Sequence, residues 1–410
     1  MSSTTKGERV TKVLHSNLLL LYAARALRGF GDGFAAIVLP VYLSAIGFDA
    51  AQIGFVAAAA LLGTAAFTLA IGFVAPRYDL RSLLVAGAIL MAITGLAFPT
   101  VEQIGLIIVV AFLGTINPST GDIGVLIPLE HAMLSQGVAD HDRTRAFARY
   151  SLTGGLSMAA GALAAAAPDY LVSAGLGRLS ALKAMFYAYA VLGLASAAIY
   201  HRLPRSHLEQ RPAAAPLGTS RNVVYKLAAL FSLDAFAGGF VVQSLLALWL
   251  FERFQISLAA ASVFFFWSSL LSAFSYPLAV RIAKRIGLVN TMVFTHAPSS
   301  ICLILAAVSP DLYIALGLLL FRSALSQMDV PTRSSYVMAV VTPPERPAAA
   351  SVTAVPRSLA SSLSPPLAGM LLSTAFLGLP LILCGALKIV YDVVLLFSFR
   401  HIKPPEETLG

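Results

Sequence analysis

What this chain has least of is charge. Of its 410 residues, 11% are Asp, Glu, Lys or Arg and 58% are hydrophobic, and the mean hydropathy is +0.83. A soluble domain carries about 25% charged residues. So little polar surface cannot cover a globule in water, but it suits a lipid solvent. Cysteine is scarce as well. Cys302 and Cys384 both sit in apolar runs, so neither a disulfide framework nor a cysteine metal site is indicated. The chain has no phosphate loop with its lysine, no metal-ligand cluster and no nucleophile with a partnering base. An ATP-driven pump and an enzyme are therefore not indicated, and no cofactor or metal is expected. A cleavable leader is not indicated either: residues 1–15 are polar and basic, and the apolar run behind them leads into Arg25 and Arg28.

What the chain does have is long apolar runs. A membrane crossing needs about 20 mostly apolar residues. Such runs occupy 16–45, 51–75, 82–101, 104–136, 146–168, 180–201, 224–251, 257–280, 287–308, 311–341, 348–374 and 377–399. They predict an all-α polytopic membrane protein of about twelve transmembrane helices. Several runs exceed a straight crossing, which implies tilt or kinks. Pro40, Asn117-Pro118, Pro128, Pro331 and Pro365-Pro366 are the candidate kink sites.

Twelve crossings put both termini on one side. The net charge of +9 is concentrated in alternate connections, including Lys6, Arg9 and Lys12, then Arg77 and Arg81, then Arg202, Arg205, Arg211 and Arg221, then Arg281, Lys284 and Arg285. The other connections hold little beyond Asp49, Glu102, Asp169, Arg178, Glu252, Arg253 and Asp311. Basic connections mark the cytoplasmic face. The charge thus reads as topology in an inner (plasma) membrane of bacterial type, with both termini cytoplasmic, and not as a nucleic-acid surface.

The first half of the chain returns in the second. RGFGDGFAAIVLPVYLSAIGF at 28–48 lies over DAFAGGFVVQSLLALWLFERF at 234–254, about 206 positions on, which matches Phe30 with Phe236, Gly33 with Gly239 and Phe34 with Phe240. GDIGV at 121–125 lies over MDVPT at 328–332, so Asp122 falls on Asp329. RYSLTGGLSMAAG at 149–161 lies over PRSLASSLSPPLAG at 356–369. The constant offset predicts two pseudosymmetric six-helix bundles, 1–202 and 223–410, joined by a cytoplasmic linker at 203–222.

Between the second and third runs, GFVAPRYDLR at 72–81 is similar to a loop motif of the major facilitator superfamily, G-x-x-x-D-R-x-G-R-[RK]. Gly72, Arg77 and Arg81 match; Pro76 replaces the acid, and Asp79 replaces the second glycine. With two halves and a basic central linker, the chain resembles that superfamily over nearly its whole length. The fourth run departs from it, reading GTINPSTGDIG with Asp122 and no arginine. The resemblance implies a substrate site between two rocking bundles. It also implies a conformational-switch role for the loop residues Gly72, Arg77, Asp79 and Arg81.

Charges inside the runs are the functional candidates, because an ionisable side chain near the bilayer centre costs about 2.5–3.5 kcal/mol. Arg25, Arg28 and Asp32 share one face of the first helix by spacing. Asp32 is either a proton carrier or a permanent partner of Arg28. The fourth run brings Asp122, Glu130 and His131, the last two either inward-facing or interfacial. The tenth brings Arg322, Asp329 and Arg333 on one face. Asp234 opens the seventh at the position matching Arg28, and Arg357 lies in the eleventh. Lys388 and Asp392, four apart, read as a self-paired structural couple, Lys183 as interfacial and His296 as packed.

These residues point to a secondary transporter exporting a small organic compound in exchange for protons. Asp32, Asp122 and Asp329 are the candidate proton carriers. Arg25, Arg28, Glu130, Asp234, Gln243, Arg322, Arg333 and Arg357 are the candidate substrate contacts. Uptake or exchange of an organic anion is the alternative, and a non-transporting sensor or scaffold is a further one. The expected partners are a small-molecule substrate, protons or another coupling ion, and the bilayer, with no nucleic acid; a monomer is expected. The orientation is testable by labelling intact cells with a membrane-impermeant maleimide. A cysteine introduced at Arg211 should stay unlabelled and one at Asp169 should react; the opposite pattern reverses the topology.

Overall fold

The computed structural model describes residues 2–119, 124, 126–136, 138, 140–206 and 217–401, with side chains from residue 17 onward except at 140–144, 343 and 347. Every regular element among them is helical. The first half contains α1 (Ser2–Ala45), α2 (Ala50–Val74), α3 (Leu80–Ala97), α4 (Ile104–Leu113), α5 (Ile127–Gln136), α6 (Asp140–Ala164), α7 (Ala167–Ser173) and α8 (Arg178–His201). The second contains α9 (Arg221–Gly239), α10 (Gln243–Phe254), α11 (Leu258–Ile286), α12 (Leu288–Val308), α13 (Leu312–Ser326), α14 (Asp329–Ala339), α15 (Arg346–Leu372) and α16 (Leu379–Phe399).

Nine helical stretches among the described residues are long and apolar enough to cross a membrane. The predicted fourth, tenth and eleventh runs are not among them. The fourth is divided into α4 and α5, the tenth into α13 and α14, and α15 is diluted by serines, three prolines and Arg357. Counting each of the two divided runs as one pass, and α15 as another, restores twelve. The divided runs are those that carry Glu130, Arg322, Asp329 and Arg333.

The breaks have local causes. After α4, the Asn117 side chain accepts the Ser119 N–H at 2.9 Å, a turn that competes with the helix just where Pro118 withdraws a donor. Between α9 and α10 the pair Gly238-Gly239 weakens the helix. Pro40, Pro365 and Pro366 instead lie inside continuous helices. Asp49, Asp79, Ser257 and Asp311 accept N–H groups at the starts of α2, α3, α11 and α13, which fixes where those helices leave their connections.

Two seams join the halves. α2 packs along α15, and α6 packs along α11. The internal repeat exchanges one seam for the other, as a parallel repeat about an axis along the membrane normal requires. Helices in lipid are held by close backbone approach. A Cβ at Gly54 would strike the Pro365 carbonyl, and one at Gly369 would strike that of Ala50. The same reciprocal notch binds α1 to α6, where Gly33 faces the Met158 carbonyl and Gly161 that of Phe30.

The buried side chains form three groups. The largest spans both halves, running from Phe34, Tyr42 and Phe186 to Phe240, Trp249 and Leu372. It lies toward the face opposite the linker. There the Ala259 N–H also donates to Asp169 at 2.9 Å, from one half to the other. Toward the linker face each half keeps a core of its own: Leu21, Leu84, Tyr150 and Tyr200 in the first, Val224, Phe231, Tyr336 and Phe399 in the second. The halves are thus fused at one face and separately packed at the other. Many large apolar side chains point outward, Phe73, Leu363 and Tyr313 among them, as a lipid-facing surface requires.

The α1–α6 notch is testable. Overpacking costs about 1–3 kcal/mol, so Gly33→Ala should lower the melting temperature in detergent despite the better helix propensity of alanine. Gly105→Ala meets nothing within 4 Å and should leave it unchanged or slightly raised.

Candidate functional site

Each half holds a buried charge cluster. In the first, Arg28 on α1 reaches Glu130 on α5 at 2.6 Å, with the two side chains 5% and 0% exposed. Tyr200 on α8 donates to the other Glu130 oxygen at 2.6 Å and accepts from Arg28 at 2.9 Å. Tyr150 on α6 also donates to Glu130. The carboxylate therefore receives three donors, and an ion pair costly to bury is stabilised by saturating its acceptors. Arg25, also buried, lies over the Tyr150 ring at 5.2 Å. Its guanidinium occupies the bay left by Gly154, where a Cβ would collide with it.

Two points that the sequence leaves open, one on α1 and one on α5, are decided here. Arg28 is not paired along the helix with Asp32, since its guanidinium is taken by Glu130. Glu130 is not interfacial but fully buried. Asp32, half-buried, accepts instead from the neutral hydroxyl of Tyr189 on α8 at 3.1 Å. Tyr189 in turn lies 3.1 Å from the Thr115 hydroxyl. Among the described residues Asp32 has no ion-pair partner. His131 stacks edge-on against Phe147 and Tyr150.

The second cluster is larger. Arg333 on α14 bridges Asp234 on α9 at 3.1 Å and Asp329, one turn back, at 2.9 Å. Its guanidinium lies over the Phe231 ring. Lys388 on α16 reaches Asp234 at 2.6 Å and the Nε2 of His296 on α12 at 3.1 Å. The Nδ1 of His296 lies 2.9 Å from Asp392. Lys388 and Asp392 are thus not a self-paired couple, and His296 is not a merely packed ring. On an α-helix neighbours four apart can pair, but here each finds a closer partner on another helix.

The clusters are counterparts with inverted sign. Arg28 and Asp234 occupy matching positions of the repeat. The first half sets its cation on the leading helix and its acid on α5, whereas the second sets its acid on the leading helix and its cation on α14.

The remaining predicted residues divide. Asp122 lies outside the described residues. Arg322 is half-buried and faces Cys302 and Cys384, with no ion pair among the described residues. Arg357 is half-buried beside Arg333, with Asp234 and Asp329 beyond. Its Nε is enclosed and lacks a hydrogen-bond partner among the described residues, as does the Nε2 of buried Gln243. Lys183 lies 3.8 Å from an exposed Glu102. The described residues contain no group of three or more His, Cys, Asp or Glu that could hold a metal.

The 72–81 loop serves the linker. Gly72 and Arg77 are exposed. Asp79 caps α3 through Ser82 and accepts the Ser206 N–H at 2.7 Å, and Ser206 also reaches Gln136. Burial works against the Asp79 carboxylate, but the N–H of Ser206 and the groups of Ser82 hold its pKa below the usual value. Arg81 contacts the carbonyls of His201 and Leu203. At the other end of the linker, Glu345 accepts from Ser220, the Gly218 N–H and Thr342, which hold its pKa at about 2.

Tyr150, Tyr189, Tyr200 and the connected role of His296 were not foreseen from the sequence. Tyrosines in apolar runs carry no pattern that separates a cluster ligand from core, and their partners lie on other helices.

The sequence profile of the Major Facilitator Superfamily matches residues 21–251 and again 227–409. An uncharacterized membrane protein of Saccharomyces cerevisiae is 25% identical over 427 aligned positions, covering 95% of each chain. Among solved structures, a bacterial homolog of the human lysosomal transporter Spinster, in an inward-facing and occupied conformation, superposes with a TM-score of 0.71 at 16% identity, over 93% of this chain and 96% of that one. The xylose transporter XylE from E. coli, inward open, gives 0.71 at 14% identity, over 93% and 95%. Two fused six-helix halves, a doubled match to one profile and these shared folds lead to one conclusion: the chain belongs to the Major Facilitator Superfamily.

Proposed function

We propose that the protein is a secondary active transporter that exports a small organic compound in exchange for protons by alternating access. Asp32 carries this reading. It is a carboxyl in the middle of α1, half-buried, with a neutral hydroxyl as its partner. Arg28, the cation that would hold it ionised, is engaged by Glu130. A carboxyl left without an ion pair can bind and release a proton as its surroundings change between states. The linker and the basic connections lie at the face where the halves pack separately, so this face is read as cytoplasmic and the state as inward-open. In such a cycle, deprotonation on the inside favours substrate binding and protonation on the outside favours its release.

A second reading, uptake or exchange of an organic anion, draws on Arg322 and Arg357. Both are cations within the helices, without an ion pair among the described residues, and the enclosed Nε of Arg357 has no acceptor there. An anionic group would supply one.

Flux measurements in proteoliposomes under an imposed pH gradient separate these readings from a structural role. Asp32→Asn should abolish proton-driven flux and keep substrate exchange, because asparagine preserves shape and removes the titration. A folded Asp32→Asn protein with full proton-coupled flux eliminates Asp32. Glu130→Gln should instead destabilise the fold by about 3–5 kcal/mol, the cost of stranding a buried charge. Adding Arg28→Gln should restore much of that loss in detergent melting; an additive double mutant would show that the pair contributes nothing as a pair.

A further inference from the structure

The cluster of the second half contains a histidine that the reading above leaves idle. Facing the ring are Asp234 from α9 and Lys388, Tyr391 and Asp392 from α16; beyond Asp234 lie Asp329 and Arg333 from α14 and Arg357 from α15. On α13, Arg322 faces Cys302 and Cys384 instead. Among the described residues α11 adds no ion pair to the cluster. Three cations, Arg333, Arg357 and Lys388, meet three acids, Asp234, Asp329 and Asp392. The balance closes with the ring neutral.

Geometry says which nitrogen holds the hydrogen. Lys388 has donors only, and its Nζ lies 3.1 Å from Nε2 of the ring. Nε2 must therefore accept, and Nδ1–H donates to Asp392, 2.9 Å away. A second acid waits beside Nε2: the nearer oxygen of Asp234 is 3.6 Å off, just beyond hydrogen-bond reach, and is shared with Lys388.

We propose that His296 is a second proton-binding group of the cycle, and that an arriving proton exchanges its Nε2 partner from Lys388 to Asp234. The proton occupies the Nε2 lone pair that accepted from Lys388. The ring now presents a donor at each nitrogen, so Lys388 must withdraw. Nε2–H closes the short gap to Asp234, while Nδ1–H keeps Asp392. The cluster is left with one positive charge in excess, and the α16 link to both α9 and α12 through Lys388 is weakened. Proton binding is thereby converted into altered packing among the helices of the second half. This rests on proton-coupled transport but not on Asp32.

The test needs no substrate. Histidine ring carbons are isotope-labelled in the purified full chain in nanodiscs, and the His296 signal is identified by its loss in His296→Gln. It should move between about pH 5 and 8, the range in which histidine changes charge. A signal static across that range overturns the proposal. Lys388→Met removes both the opposing donor and its charge and should shift the titration midpoint; an unchanged midpoint overturns the partner exchange. Spin labels at Tyr78 and Ile286, exposed at the linker face of opposite halves, then report the opening. Their distance distribution should change with pH in Asp32→Asn, but not when His296→Gln is added to it. A pH response that survives in the Asp32→Asn, His296→Gln double variant overturns the proposal. Full proton-coupled flux in Asp32→Asn beside a titrating His296 would refute the role of Asp32 and leave this one standing.

Discussion

An ion withdrawn from water has to be given a substitute for it, and in both buried clusters of this protein other helices supply most of that substitute. Glu130 receives Arg28, Tyr150 and Tyr200 from three helices. Asp234 receives Arg333 and Lys388 from two. The apolar packing of each half could tolerate many helix registers. The charge clusters tolerate few, because a shift of one residue would leave an unpaired charge in a low-dielectric interior. The clusters therefore fix how the helices of each half register with one another. The seams between halves are instead built from glycine notches and apolar side chains.

The sign inversion between the halves fits this division of labour. Both halves put a pairing site on matching positions of the leading helix, but they assign the cation to different helices. The two halves share a buried pair but not its direction. The second cluster also contains a histidine, a lysine and another acid. The first half kept a saturated pair and set one carboxyl, Asp32, apart from it.

Run lengths and the constant repeat offset made the twelve passes and the two halves legible, because membrane thickness acts on every crossing alike. Pairing was not legible in the same way. Spacing along a helix nominates partners three or four residues apart, so it joined Arg28 to Asp32 and Lys388 to Asp392. The true partners of Arg28 and Lys388 lie 102 and 154 positions away and are brought close by packing. A repeat read through shared letters also cannot detect a pair whose members have exchanged sign. Asn117-Pro118 announced the break in the fourth pass. The α9–α10 break was hidden, because the positions matching Gly238 and Gly239 are Asp32 and Gly33, inside an unbroken helix.

The anchored linker has a mechanical consequence. Ser206 is held by Asp79 on the first half, and Gly218 by Glu345 on the second. Between these two clamps the chain has twelve Cα–Cα steps, which at full extension reach on the order of 40 Å. The linker is therefore a leash of fixed length fastened to both bundles, and not a free connection. It sets an upper limit on how far the two halves can spread apart at the linker face. A carboxylate at each clamp, rather than an apolar contact, makes that limit releasable by acid or by loss of a single hydrogen-bond acceptor.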